Sequence, residues 1–304
     1  MIGLLNAAAA VVAILPQLAS PPPEATSFPA MRQAGHYAVV LDLTVSPLGQ
    51  VQACKAMLSN GTSFADTQVC EQLTTARFTP ATDRDGAAAY ARMELPFTWP
   101  DDGTGGPNYT DVDLTVERLP PGAPVHPRVT LAVSVDAAGH VQGCDAAKSS
   151  GFQALDVAAC KAGSAQPNLR PVKDAAGQPT ASVQSLVVGF AAYAKLMLKK
   201  DPAYADLGMA GPYFPVRAER MDVGGYADLA CTAAADGALT DCKIDEEAPM
   251  GFEFGLQALK MAKTKWMHAV PGTPGPALVR VDFPRSGWLL RPWMKRPASG
   301  AGRR

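Results

Sequence analysis

Apolar positions alternate with polar ones over short stretches, then switch to a helical spacing, and the same switch recurs along the chain. Val39, Leu41, Leu43 and Val45 take every second place, which gives a half-buried strand one apolar face. Pro47-Leu48-Gly49 turns the chain, and a return strand runs from Val51 until Ser59-Asn60-Gly61 breaks it. Ser63 followed by Asp66 has the form of a capping box with the acid shortened from Glu, so a helix is predicted from there to about Ala76. Along it Ala65, Val69 and Leu73 recur every fourth place and make one apolar stripe. Phe78-Thr79-Pro80 ends the helix, Asp83 to Gly86 turns, and Tyr90 to Trp99 reads as a last strand. The matching last strands further on are Ala181 to Phe190 and Ala277 to Phe283.

The pattern is a repeat of residues as well as of periodicity. A shift of 90 residues lays Val39, Leu41, Val45, Gly49, Cys54, Gly61, Asp66 and Cys70 onto Val129, Leu131, Val135, Gly139, Cys144, Gly151, Asp156 and Cys160. A shift of 188 residues lays Gly49 onto Gly237, Cys54 onto Cys242 and Phe78 onto Trp266 in a more diverged third copy. There Cys70 meets Ala258, but a new cysteine stands at Cys231. If Asp236-Gly237 forms a two-residue hairpin turn, Cys231 and Cys242 face each other directly. The fold class predicted is α+β, as three tandem two-layer units. Each unit is β-β-α-β, with a three-stranded antiparallel sheet, one helix and a disulfide staple. They occupy residues 28–100, 110–193 and 212–285, with an apolar leader at 1–20 and a basic tail at 286–304.

Composition narrows the setting. Of 304 residues 47% are hydrophobic, much of that alanine, and only 18% are charged, so the chain is globular but its cores are small. A net charge of -1 gives no basic field for nucleic acid, which is excluded as a partner. Residues 2–15 form a short apolar run ended by Pro16, with small residues at Ala19 and Ser20. That is the form of a secretory leader cut near Ala19 or Ser20, or of an uncleaved anchor. The even cysteine count, at Cys54, Cys70, Cys144, Cys160, Cys231 and Cys242, suits an oxidising compartment. The spacing favours pairing within each copy, Cys54–Cys70, Cys144–Cys160 and Cys231–Cys242, although sequence leaves the connectivity open. The expected location is periplasmic or secreted.

These residues resemble the C-terminal domain of the TonB energy-transducer family. Phe214-Pro215-Val216-Arg217-Ala218 is similar to the family's Tyr-Pro-x-x-Ala opening, and Gly224-Gly225 and Ala235-Asp236-Gly237 follow it in order. The first copy has Phe28-Pro29-Ala30, Ser59-Asn60-Gly61, Asp66 and Phe78-Thr79-Pro80-Ala81; the second has Ser149-Ser150-Gly151 and Leu155-Asp156. The resemblance implies a periplasmic domain that grips an extended segment of an outer-membrane transporter by adding it as a strand. It therefore implies envelope proteins as partners, TonB-dependent transporters among them. Carried over, the edge residues are Tyr90, Arg92 and Glu94, Val183 and Ser185, and Val279 and Val281. Two outcomes stay open: these edges accept a partner, or they pair with each other and are covered by linkers. Unlike the energising members, the chain has no His in residues 1–20 and only Pro21-Pro22-Pro23 after them.

Motifs for chemistry are wanting. No nucleophile elbow, P-loop or His-Glu-x-x-His occurs, and the sequence implies no catalytic residue, no metal site and no cofactor. His36, His126, His140 and His268 lack ligand spacing with any cysteine, and Asp66 and Asp156 read as helix-start residues. Asp101-Asp102-Gly103-Thr104-Gly105-Gly106 and Lys199-Lys200-Asp201-Pro202 read as linkers. The tail from Arg285, with Trp288 and Trp293, suits contact with anionic membrane or cell wall, or a plain terminus. The chain reads as a binding module of the cell envelope. A structural envelope module without a transporter partner, or a membrane-anchored transducer, are the alternatives.

Overall fold

Alternating apolar residues become the central strands of a mixed α+β structure. The computed structural model describes residues 12–19, 37–99, 107–166, 169–198, 212–272 and 274–284. Its first third runs β1 (Gln17–Leu18), β2 (Tyr37–Val45), β3 (Val51–Ser59), α1 (Ser63–Thr75), β4 (Phe78–Thr79), β5 (Ala81–Thr82) and β6 (Ala88–Trp99). The middle runs β7 (Val112–Thr115), β8 (Arg128–Val135), β9 (Val141–Lys148), α2 (Gln153–Ser164), β10 (Val172–Lys173), β11 (Pro179–Thr180) and β12 (Ser182–Ala191). Then come β13 (Leu196–Leu198), α3 (Val216–Arg220), β14 (Gly225–Ala233), β15 (Leu239–Ala248), α4 (Phe254–Lys263), β16 (Met267–Ala269) and β17 (Gly275–Phe283). The Phe28, linker and tail motifs lie outside the described residues, as do His36 and most of the leader.

Each hairpin turns through a three-residue loop rather than the two-residue turn expected at Asp236-Gly237. Ser46, Asp136 and Ala234 donate their N–H to Gln50, His140 and Ala238, and a left-handed glycine closes each loop: Gly49 (φ 71°), Gly139 (φ 94°) and Gly237 (φ 88°). The glycine is needed twice over. Its carbonyl accepts the N–H of the chain returning from the helix (Phe78, Leu169 and Ala269), and a Cβ there would lie 1.9, 2.4 and 2.1 Å from a carbonyl oxygen of that chain.

Helix α1 starts at Ser63, its expected cap, so the true cap lies one residue earlier. Thr62 caps it, accepting from the Ala65 N–H (3.2 Å), while Asp66 is turned back to accept from the hydroxyls of Tyr37 and Ser59, both at 2.6 Å. Asp156 does the same work in the middle third, accepting from Ser149 and from the Ser150 N–H and hydroxyl. Both acids tie down the loop that enters the helix. In the last third Glu247 replaces them, accepting the N–H groups of Gly251 and Gly255.

Three disulfides close the small cores: Cys54–Cys70 and Cys144–Cys160, each spanning 16 residues, and Cys231–Cys242, spanning 11. The third is a cross-strand link, but not between directly opposed residues. The β14–β15 register slips between Ala230 and Thr232, and the bulge brings the two Cα atoms to 4.0 Å.

Sheet topology departs from three separate sheets. The first and middle thirds merge into one sheet of order β3-β2-β6-β12-β8-β9, because β6 and β12 pair in parallel with Val183 opposite Ala91. Residues opposed in a ladder point to the same side. Met93, Leu95 and Phe97 of β6 pack with α1, whereas Leu186, Val188 and Phe190 of β12 pack with α2, so the two helices cover opposite faces. A small cluster of Ala13, Ala81, Ala91, Ala132 and Val183 seals the junction. The last third keeps its own sheet, β15-β14-β17, around Leu229, Phe254, Met261 and Phe283.

Candidate functional site

The strands expected to offer open edges meet each other. Ser182, Val183 and Gln184 of β12 lie opposite Tyr90, Ala91 and Arg92 of β6, and β12 continues in parallel pairing with β7 from Val188 to Ala191. This correction affects Tyr90, Arg92, Glu94, Val183 and Ser185: they belong to a closed seam rather than to a free edge. Val183 is 1% exposed there. Arg92 reaches across to β2 and clasps Asp42 with two hydrogen bonds of 2.8 and 2.6 Å. The Ser185 hydroxyl donates to the Glu94 carboxylate and accepts from the Glu94 N–H. Burial, then the nearby Asp111 carboxylate, pushes Glu94 up to about 8. Where β6 and β12 diverge, side chains therefore fill the ladder positions, and the two halves are held as one body.

The third expected edge differs. Val279 and Val281 of β17 point into the last core, opposite Leu229 and Ala227. On its other side β17 meets, among the described residues, a single bridge: Tyr193 pairs with Leu278, and the Ala194 N–H donates to the Leu278 carbonyl at 2.8 Å. Arg280, between the two valines, clasps Asp228 through bonds of 2.8 and 2.6 Å and lies over the rings of Tyr226 and Tyr193 at 4.1 and 4.8 Å.

Beside Arg280 a polar network joins the middle third to the last. The His126 ring is buried, with Nδ1 donating to Asp245 at 2.6 Å and Nε2 standing 3.5 Å from Asp113 Oδ1. Arg128 donates to the same Asp245 oxygen at 2.6 Å, and Arg280 lies 3.5 Å from Asp113. Burial works against a charged imidazole, but the two carboxylates outweigh it and raise His126 to about 9. Against the same opposing burial, His126, Thr110 and Arg280 hold Asp113 down at about 2. Glu246, accepting from the Tyr226 hydroxyl at 2.7 Å, is pushed up to about 7 by burial and then by Asp113. His126 is thus a cation between two anions, and its work is to bind one third of the chain to another. The sequence signal for it is thin: one histidine flanked by proline in Val125-His126-Pro127-Arg128.

A second kind of site appears on the strands that follow the helices. Along β4 lies β1 from the extreme N-terminal region, with Gln17 opposite Thr79 and Leu18 opposite Phe78. Along β16 lies β13, with Leu196 opposite Ala269 and Met197 opposite His268. Both acceptors sit where the returning chain bonds its hairpin glycine, so the fold receives an added antiparallel strand at the same place twice.

Among the described residues no group of three His, Cys, Asp or Glu side chains is placed to hold a metal ion, and no helix is long and apolar enough to cross a membrane. Comparison of the chain with protein-family models, with curated proteins and with solved structures returns no match. The described residues form extended-strand acceptors on a disulfide-braced frame, in keeping with an exported protein.

Proposed function

We propose that the chain is built from three copies of one β-β-α-β unit and serves as a non-catalytic, TonB-like protein-binding module of the bacterial cell envelope. Its partner is an extended segment of an envelope protein, such as the N-terminal region of an outer-membrane transporter, taken up as an added strand. Repetition supports the common unit. Register slips in β2–β3 fall after Val40 and Thr44, and in β8–β9 after Thr130 and Ser134, the same places one repeat apart. The observation that carries the binding reading is β17, which has β14 along one side and, among the described residues, only the Tyr193–Leu278 bridge along the other. Backbone groups left unpaired along a strand are what a peptide ladder needs.

Amide chemical shifts test this directly, with transporter N-terminal peptides titrated into the full chain. Shifts along Ala277 to Phe283 are expected. Saturating peptide without any shift there would rule the site out. The closed β6–β12 seam favours a second reading, an envelope spacer whose edges serve its own assembly. Under that reading uptake is unchanged when the last third is deleted.

A further inference from the structure

Among the described residues, β1 is paired on one side only. Ile14 exchanges backbone hydrogen bonds with Thr82 (2.9 and 3.1 Å), and the Ala19 N–H donates to the Arg77 carbonyl (2.9 Å), so residues 14–19 run antiparallel along residues 77–82. Ala13 is 3% exposed, seated on Ala81, Ala91, Ala132 and Val183, and its N–H donates to Asp145 Oδ2 at 3.1 Å. Leu15 packs against that alanine floor and Leu18 against the first core. The outward side chains are covered by nothing described: Val12 is 54% and Ile14 47% exposed. The segment ends at the expected leader cut, near Ala19 or Ser20.

We propose that the edge at residues 77–82, with its alanine floor, is a peptide-binding groove that residues 12–19 occupy in the full chain. Release of the leader hands it to an extended segment of a partner protein. Recognition follows from the occupant. A small residue is required at the place of Ala13, because four small or β-branched side chains close the floor beneath it. Apolar residues are favoured two and five places further on, at the places of Leu15 and Leu18. Side chains at the places of Val12 and Ile14 face outward and are not selected. The tethered segment competes with any partner at an effective concentration on the order of millimolar, so the intact chain keeps the groove closed. The inference rests on strand addition as the mode of binding, but its groove lies on β4, at the opposite end of the chain from β17.

The test keeps the whole chain. A protease site is placed between residues 20 and 36, the folded protein is cut, and a fluorescent peptide with the sequence of residues 12–19 is added. Anisotropy should show the peptide bound to cut protein and at least about tenfold weaker binding to uncut protein. A peptide with Ala13→Trp should bind about tenfold more weakly or worse, because the floor has no room, while Ile14→Ser should bind as the parent does. Near-ultraviolet circular dichroism and a non-reducing peptide map report whether cut protein stays folded. Three results overturn the groove: folded cut protein that ignores the peptide, equal binding of Ala13→Trp, or unfolding on cutting, which would make the segment structural. Elution of peptide-free cut protein as a dimer would also overturn it, by assigning the groove to a second copy. Shifts along β17 with transporter peptides are read separately, so either site can fail alone.

Discussion

Raising the pH should loosen the joint between the middle and last thirds, and His126 sets the size of the effect. The imidazole is buried between Asp113 and Asp245, and its pKa is raised from 6.5 to about 9. Proton affinity gained on folding is stability gained on folding. At about 1.4 kcal/mol per tenfold gain, the imidazolium contributes about 3 kcal/mol. A raised folded pKa makes this contribution complete below pH 6.5 and lost as pH climbs through about 9. Glu246, raised to about 7, and Glu94, raised to about 8, slope the same way, so the wild-type profile alone cannot isolate the histidine. The measurement is therefore a difference. Urea unfolding free energies of wild type and of His126→Gln are compared from pH 6 to about 9.5, where all six cysteines being paired leaves no free thiol to start disulfide exchange. Wild type should lose about 3 kcal/mol relative to the variant across that window. Parallel profiles would refute the reasoning, since they would mean that the ring carries no charge between its two carboxylates.

Two further substitutions probe the frame. Gly49→Ala should cost well over 2 kcal/mol in thermal or chemical unfolding, because a positive φ and a Cβ 1.9 Å from the Phe78 carbonyl oxygen are imposed together. Gly151→Ala, also at positive φ but with nothing within 4 Å, should cost only about 1–2 kcal/mol, and equal losses would discredit the close-approach argument. Replacing Cys54 and Cys70 together by alanine opens a link across 16 residues and should lower stability by about 3 kcal/mol; an unchanged urea midpoint would show that the small core stands without its staple.

Local chemistry alone determined much of this protein. Strand alternation at Val39 to Val45, the apolar stripe of Ala65, Val69 and Leu73, the glycine at each hairpin and the paired cysteine spacing are all short-range signals, and each became the element or link it implies. The three-residue loops and the displaced cap at Thr62 were less visible, because turn length and cap identity shift by a residue without altering periodicity. What the strands do with their edges was decided only in three dimensions. Tyr90 and Val183 have the alternating surroundings of any half-buried strand, and nothing within ten residues of either tells which third of the chain will lie beside it. Pairing of β6 with β12, the seating of Ala13 on an alanine floor and the meeting of His126 with Asp245 all join residues more than 65 positions apart. Such contacts depend on how finished surfaces fit, through the small volume of alanine, the register of a ladder and the desolvation of a charge, and those quantities exist only once the chain has folded.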